Sequence, residues 1–353
     1  MVNRIIGVFI LIFLFASLWF YGFGGEIRLI TNGTKPVSLG AQSIYGNYLI
    51  LEGLFTVVGF GLILSYYRKS SASGLLISLF TVSLTVLACP LFSKFWFNVF
   101  LADFHGQIPS DNTSSARFIN QSMGGLEVYL DYYNLRITMA CAISQLIVIL
   151  ALHGRLNWRD LVLNWFFFNF FWTLNHFLCL LLQVEAPDSR LWDDYHINNV
   201  YLFAACYGLI MALMLRRAPT ASTERFSSSP STTLLALLGT FFVFLSFCIT
   251  TTLYGAKYTL LTLEVARAFV WQEAFLSCFF ALSASVILTY TLCVLLNEKV
   301  GVREGIIGTL SGGIIYGTVA CTNVNISLAI VSGVVGGVLS VIAFKFIYLR
   351  VNA

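Results

Sequence analysis

The chain has little charge. Only 10% of its 353 residues are Asp, Glu, Lys or Arg, while 58% are apolar. A soluble domain of this length needs a charged surface, so this composition specifies a polytopic membrane protein. The net charge is only +4, and no Lys/Arg cluster is long enough to hold nucleic acid. Cysteine is present but unpatterned. Cys89, Cys141, Cys179, Cys206, Cys248, Cys278, Cys293 and Cys321 are scattered, mostly inside apolar runs, and none forms a C-x-x-C pair. That excludes a zinc site and a disulfide framework and leaves small buried apolar residues. Nucleotide-binding loops, catalytic triads and metal-ligand spacings are also missing. No cofactor, no metal and no enzymatic activity are expected.

What the chain has is long apolar runs. Ten candidate spans fall at about 5–24, 46–66, 73–99, 134–153, 161–183, 198–215, 233–254, 266–297, 305–320 and 326–344. The first has the basic start of a signal peptide, but its run is long and no clear A-x-A site follows, so it is kept as a helix. Pro90 is expected to kink the third. Short links join most spans and no soluble domain is evident, so 1–353 reads as one membrane domain. With the N-terminus inside, the cytoplasmic ends hold the larger share of the twenty basic residues, among them Arg4, Arg68, Lys69, Arg155, Arg159, Arg216, Arg217, Lys299, Arg303 and Lys345. The sequons at Asn32, Asn112 and Asn120 then fall outside as glycosylation acceptors. Asn325-Ile-Ser also falls outside, but too near the membrane to be one. The inner loop 216–232 is rich in Ser, Thr and Pro.

The last two spans carry the most specific pattern. Small residues line one side of each: Gly308, Ser311, Gly312 and Gly317, then Ser332, Gly333, Gly336 and Gly337, with Gly333 and Gly337 forming a G-x-x-x-G pair. Lipid gives helices no hydrophobic reason to associate, so close approach at small residues must supply the packing. The order Gly308-Thr-Leu-Ser-Gly-Gly313, Gly317-Thr318 and Ser332-Gly-Val-Val-Gly-Gly-Val-Leu-Ser-Val341 resembles the eighth and ninth core helices of the ammonium transporter/Rh family. The likeness extends backward through Tyr67-Arg-Lys-Ser-Ser-Ala-Ser73, Asn134-Leu-Arg-Ile-Thr-Met-Ala-Cys141, Leu152-His-Gly-Arg-Leu-Asn157, Asp194-Tyr-His196, Val200-Tyr-Leu-Phe-Ala-Ala-Cys-Tyr-Gly-Leu209 and Leu237-Leu-Gly-Thr240. It covers nearly the whole chain and lies nearest the non-glycosylated Rh blood-group branch.

The resemblance implies an all-α membrane fold of two inverted five-helix repeats around a pore, usually in a trimer. Here 5–24 would be the extra Rh helix, 46–215 the first repeat and 233–345 a second repeat that stops short. In that family an Asp lies beneath an outer vestibule, a phenylalanine gates the pore, and two pore histidines share a hydrogen bond. The Asp position falls on Asp193, and Asp194-Tyr195-His196 replaces the A-G-G that follows. The first histidine position holds Tyr201. The gate Phe-Asn falls on Thr250 and Thr251, with Phe247-Cys248 in place of the preceding Trp-Pro. The second histidine belongs to a tenth core helix, which is expected to be absent here, as the ninth runs out just before Ala353. Asn175 matches the family, with His176 where a Glu usually follows.

Two readings follow from those substitutions. One is a family member that has lost transport and serves as a structural subunit of a membrane assembly, most plainly in the plasma membrane. The other is a channel for ammonia or another small neutral molecule through a remodelled pore. The expected partners are membrane lipids and a homo- or hetero-oligomer, with Gly308, Gly312, Gly313, Gly317, Gly333 and Gly337 packing helices. His176 is expected as a hydrogen-bonding core residue, Glu52 and Glu273 as interfacial carboxylates, and Asp160 as the acidic residue favoured at a helix start. The run Phe166-Phe-Phe-Asn-Phe-Phe171 between Trp165 and Trp172 is expected to face lipid or a partner.

Overall fold

The computed structural model describes residues 7–14, 39–64, 66, 73–101, 132–152, 156–185, 198–215, 230–259, 267–296, 302–316 and 325–343. Ten helices appear among them and no strand. They are α1 (7–14), α2 (Leu39–Leu64), α3 (Ser73–Leu101), α4 (Tyr132–Leu152), α5 (Trp158–Glu185), α6 (Phe203–Leu215, entered through a π-helical turn Asn198–Leu202), α7 (Pro230–Thr259), α8 (Arg267–Leu295), α9 (Val302–Tyr316) and α10 (Ile326–Ile342). Each sequence span coincides with one helix, most ends agreeing within a few residues and α2 starting earlier than expected. Segments Gly74–Phe100, Pro230–Ile249 and Ala274–Leu295 are long and apolar enough to cross a bilayer, and shorter apolar helices accompany them. The chain is an integral membrane protein.

Local chemistry sets the helix ends. Asn157 precedes α5, where its backbone N–H donates to Asp160 Oδ2 at 3.3 Å and its carbonyl accepts from Leu161 N at 2.8 Å. The carboxylate thus reaches back to the N-terminal backbone, at the positive end of the helix. Pro230 opens α7, where a missing N–H costs nothing. Asn325 caps α10 by accepting from Ser327 N at 3.0 Å. α3 stays helical through the buried Pro90.

The helices form two compact units that interleave in sequence: Met1–Ser38 with Phe80–Leu215, and Leu39–Leu79 with Arg216–Ala353.

In the first unit α3 and α5 run alongside each other in the same direction, zipped by aromatic pairs. Phe80 meets Trp158 with centroids 4.9 Å apart, Phe92 meets Phe166 at 5.4 Å, Trp96 meets Phe170 at 4.6 Å and Phe97 meets Phe177 at 5.0 Å. Trp96 also donates its indole N–H to the Phe170 carbonyl at 3.1 Å. Such pairs contribute about 0.5–1.5 kcal/mol each beyond area burial. α1 joins through Phe9 on Phe166 and Phe13 on Trp165. The phenylalanine run is therefore split by helix periodicity. Phe167 and Phe171 are exposed, as expected, but Phe168 is buried against Phe203 and Tyr207. A 100° step per residue cannot put five rings spread over six successive residues on one face.

The second unit is built on small residues. α2 lies along α7, and α8 packs against α7, α9 and α10. A Cβ on Gly239 would stand 2.7 Å from the Gly59 carbonyl, so α2 and α7 touch backbone to backbone. Thr56 and Ser246 share a hydroxyl hydrogen bond across the same contact. On α8, Ser285 donates to the Gly308 carbonyl at 2.8 Å and lies 3.0 Å from Ser311 Oγ, while Thr289 Oγ1 meets Ser340 Oγ at 3.3 Å. These bonds tie α9 and α10 to α8 where lipid supplies no hydrophobic drive.

Candidate functional site

Tyr201 lies in the π-turn Asn198–Leu202 that leads into α6. A π-turn places one extra residue in a helical turn and frees carbonyls from the regular ladder. Here side chains on α4 and α5 take those carbonyls. Trp172 donates its indole N–H to the Asn199 carbonyl at 2.6 Å. Ser144 Oγ reaches the Val200 carbonyl at 2.9 Å and the Asn199 carbonyl at 3.4 Å. The Asn199 side chain is used as well. Its Oδ1 accepts from Asn175 Nδ2 at 2.5 Å, and its Nδ2 lies 3.3 Å from His176 Nδ1. The His176 ring stacks on Trp172 at 5.6 Å. Asn199 is 1% exposed and His176 2%.

α5 can supply three of these partners because Trp172, Asn175 and His176 fall within one turn and share a face. A second cluster sits beside them. Gln145 Oε1 accepts from Thr85 Oγ1 at 2.6 Å and from Asn169 Nδ2 at 3.0 Å, while Cys141 Sγ reaches Asn169 Oδ1 at 3.3 Å. It joins α3, α4 and α5 by side chains that are all buried.

The sequence-derived residues distribute as follows. Asn175 and His176 come together through Asn199. Tyr201 is partly buried and packs against the first unit's core. Thr250 and Thr251 lie on α7, but their side chains are outside the described residues, as are those of Glu52 and Glu273. Asp193, Gly317, Asn32, Asn112 and Asn120 also lie outside the described residues. Phe247 is described, and its ring fills the space against which a Cβ on Gly313 would stand at 2.5 Å. A Cβ on Gly312 would stand 2.8 Å from Ser285 Cβ, one on Gly308 3.0 Å from Thr289 Oγ1, and one on Gly337 2.9 Å from the Ser285 carbonyl. One on Gly333 would collide with the Ala281 carbonyl. Of the cysteines described, Cys206 is exposed on α6 and Cys179 is partly buried, whereas Cys89, Cys141, Cys248, Cys278 and Cys293 are buried. No group of three or more metal-ligating side chains occurs among the described residues.

Sequence reading did not single out Asn199, Ser144 or Gln145, and it treated Trp172 only as the flank of an aromatic run. The signal that was available is the Asn198-Asn199 pair just before Tyr201. Two amides at the start of an apolar helix need partners, and Asn175-His176 offers polar side chains inside another apolar run.

Comparison with known proteins agrees with this architecture. A model of the Ammonium Transporter Family matches residues 47–352. The human blood group Rh(D) polypeptide is 23% identical over 320 residues, spanning 87% of this chain and 65% of that protein. The chimpanzee RH-like protein IA is 24% identical over 322 residues with the same coverage. The chain thus spans about 65% of the length of these curated relatives. Among solved structures, Nitrosomonas europaea Rh50, from the Rhesus protein family of channels, superposes with a TM-score of 0.66 at 19% identity, over 90% of this chain and 74% of that one. The helix order, the glycine seams and the family match lead to one conclusion: this chain belongs to the ammonium transporter family, with an Rh/ammonium-transporter fold.

Proposed function

We propose that this protein has lost ammonium transport and acts as a structural subunit of an oligomeric assembly in the plasma membrane. The observation that carries the reading is the engagement of Asn199. Its carbonyl and both ends of its side chain are bonded to Trp172, Ser144, Asn175 and His176 immediately before Tyr201. A buried polar network rigidifies the helices that it joins. The Asn199 groups engaged in it are not offered to a passing solute. Tyr201 stands where the family resemblance puts a histidine, and a phenol stays neutral near pH 7 and relays protons poorly. Thr250 and Thr251 at the gate position would supply no aromatic ring. The two-repeat organisation, 46–215 and 233–345, belongs to the same proposal.

The second reading is a channel for a small neutral molecule. It is favoured by the fold match to a channel protein. The two separate on one preparation. The protein is purified natively in mild detergent, its assembly mass is measured, and it is then reconstituted for ammonia flux. A defined oligomer without flux supports the structural reading, whereas flux supports the channel.

A further inference from the structure

His176 is a buried group whose titration neither functional reading uses. Its ring lies nearly parallel to that of Trp172, and its Nδ1 stands 3.3 Å from Asn199 Nδ2. The Asn199 amide is fixed from its other end, where Oδ1 accepts from Asn175 Nδ2 at 2.5 Å. Asn199 therefore shows His176 an N–H. An amide nitrogen only donates, so Nδ1 is the bare, accepting nitrogen of the ring and the ring proton sits on Nε2. That is one tautomer of the neutral imidazole. A second proton would enter at Nδ1 and set N–H against N–H. Turning the Asn199 amide to offer Oδ1 would set its Nδ2 against Asn175 Nδ2, so one clash replaces another. The backbone that feels either clash is the π-turn Asn198–Leu202.

The surroundings offer a charged ring little compensation. The helices about it are α3, whose Phe97 packs on Phe177, α4, whose Ser144 reaches Asn199, and the turn into α6. The charged residues on these helices are Lys94 on α3, Arg136 on α4, and Arg159, Asp160 and Glu185 on α5. Their other titratable groups are tyrosines and cysteines, among them Tyr201, Tyr207, Cys141 and Cys179, which are neutral near pH 7. No carboxylate falls within about two turns of His176 along α5, and α3, α4 and α6 carry none. A buried charge without a counter-charge or an acceptor is costly.

We propose that His176 is an acid-sensitive latch on the turn that opens α6. As the neutral imidazole it holds Asn199 and keeps the turn closed on α5. The tie is whole at neutral and alkaline pH, where the ring carries one proton, and is lost as pH falls and the ring takes a second. Trp172 and Ser144 hold the Asn199 and Val200 carbonyls and do not titrate, so acid loosens the turn without releasing it. The device belongs to the first unit alone and is independent of whether the protein conducts.

Two measurements test it on the full chain in liposomes, in a background where His105, His153 and His196 are Gln so that every histidine signal comes from His176. ¹⁵N NMR of the histidine-labelled protein reads the tautomer. At neutral pH it should show a bare Nδ1 and a protonated Nε2, and a protonated Nδ1 at that pH overturns the proposal. Hydrogen exchange then reads the turn. After correction for intrinsic rates, the amides of 198–205 should exchange several-fold faster at about pH 5.5 than at about pH 7.5, on either side of the ordinary histidine range. His176→Asn puts an amide oxygen near the place of Nδ1 and takes no proton, so it should abolish that acceleration. Equal protection at the two pH values with His176 present, or the same acceleration in His176→Asn, overturns the latch. The spectrum and the exchange of the His176 protein need no further variant, so both still decide the matter if His176→Asn does not fold.

Discussion

Trp172 donates its indole N–H to the Asn199 carbonyl at 2.6 Å, linking the middle of α5 to the π-turn in front of α6. The bond ties the wide turn to α5. It also places Tyr201 against packed core.

Removing that tie should destabilise the protein. Trp172→Phe keeps the ring and leaves the buried Asn199 carbonyl dependent on the long Ser144 contact. Leaving a buried polar group unsatisfied costs about 1–3 kcal/mol. Asn199→Ala should cost at least as much, because Asn175 and His176 both lose their partner. Thermal unfolding in detergent, followed by far-ultraviolet circular dichroism, would reveal the loss. Two variants that melt with the wild type would show that the network contributes nothing.

The glycine seam gives a sharper contrast. Gly333 lies against the Ala281 carbonyl, whereas Val331, two residues before it, is 57% exposed. Gly333→Leu must push α10 away from α8 and should cost roughly 1–3 kcal/mol or more, as overpacking does. Val331→Leu should be near neutral. Yield of monodisperse protein and melting temperature would separate them, and equal behaviour would contradict the packing.

Alkaline pH should act at Tyr66, in the turn after α2. Burial, and then the Glu304 carboxylate, hold its phenol above the ordinary value of 10.0, with Arg303 pulling the other way. The fold therefore favours the neutral phenol. Its contribution is whole below pH 10.0 and is lost as pH rises through the higher folded value, where the unfolded chain has already released its proton. Tyr66→Phe should flatten the alkaline limb of a stability profile and leave pH 7 unchanged. An unaltered limb would remove Tyr66 from the account.

The sequence displayed the scaffold well and the site unevenly. Uninterrupted apolar runs mark membrane helices whatever their partners, so all ten were visible. The ordered glycines of α9 and α10 identified the family, because close helix approach at small residues is a local requirement. The two packing units were not legible. α2 joins α7 across more than 160 residues of chain, and nothing at Gly59 names Gly239 as its counterpart. Asn199 was missed for a similar reason. An asparagine near a helix start has an ordinary local role as a cap, and only the approach of Trp172 and Asn175 from α5 gives it another. The phenylalanine run misled at Phe168, since composition was read without the helical step.

The central claim is the absence of conduction, and flux measures it most directly. Purified, assembled protein is reconstituted into liposomes carrying an internal pH dye, with Nitrosomonas europaea Rh50 in parallel vesicles. Ammonia or methylamine is then added in a stopped-flow mixer. Alkalinisation should be no faster than in empty liposomes while Rh50 vesicles respond. Rapid alkalinisation by this protein, abolished by Tyr201→Ala or Asp193→Ala, would contradict it and establish the channel.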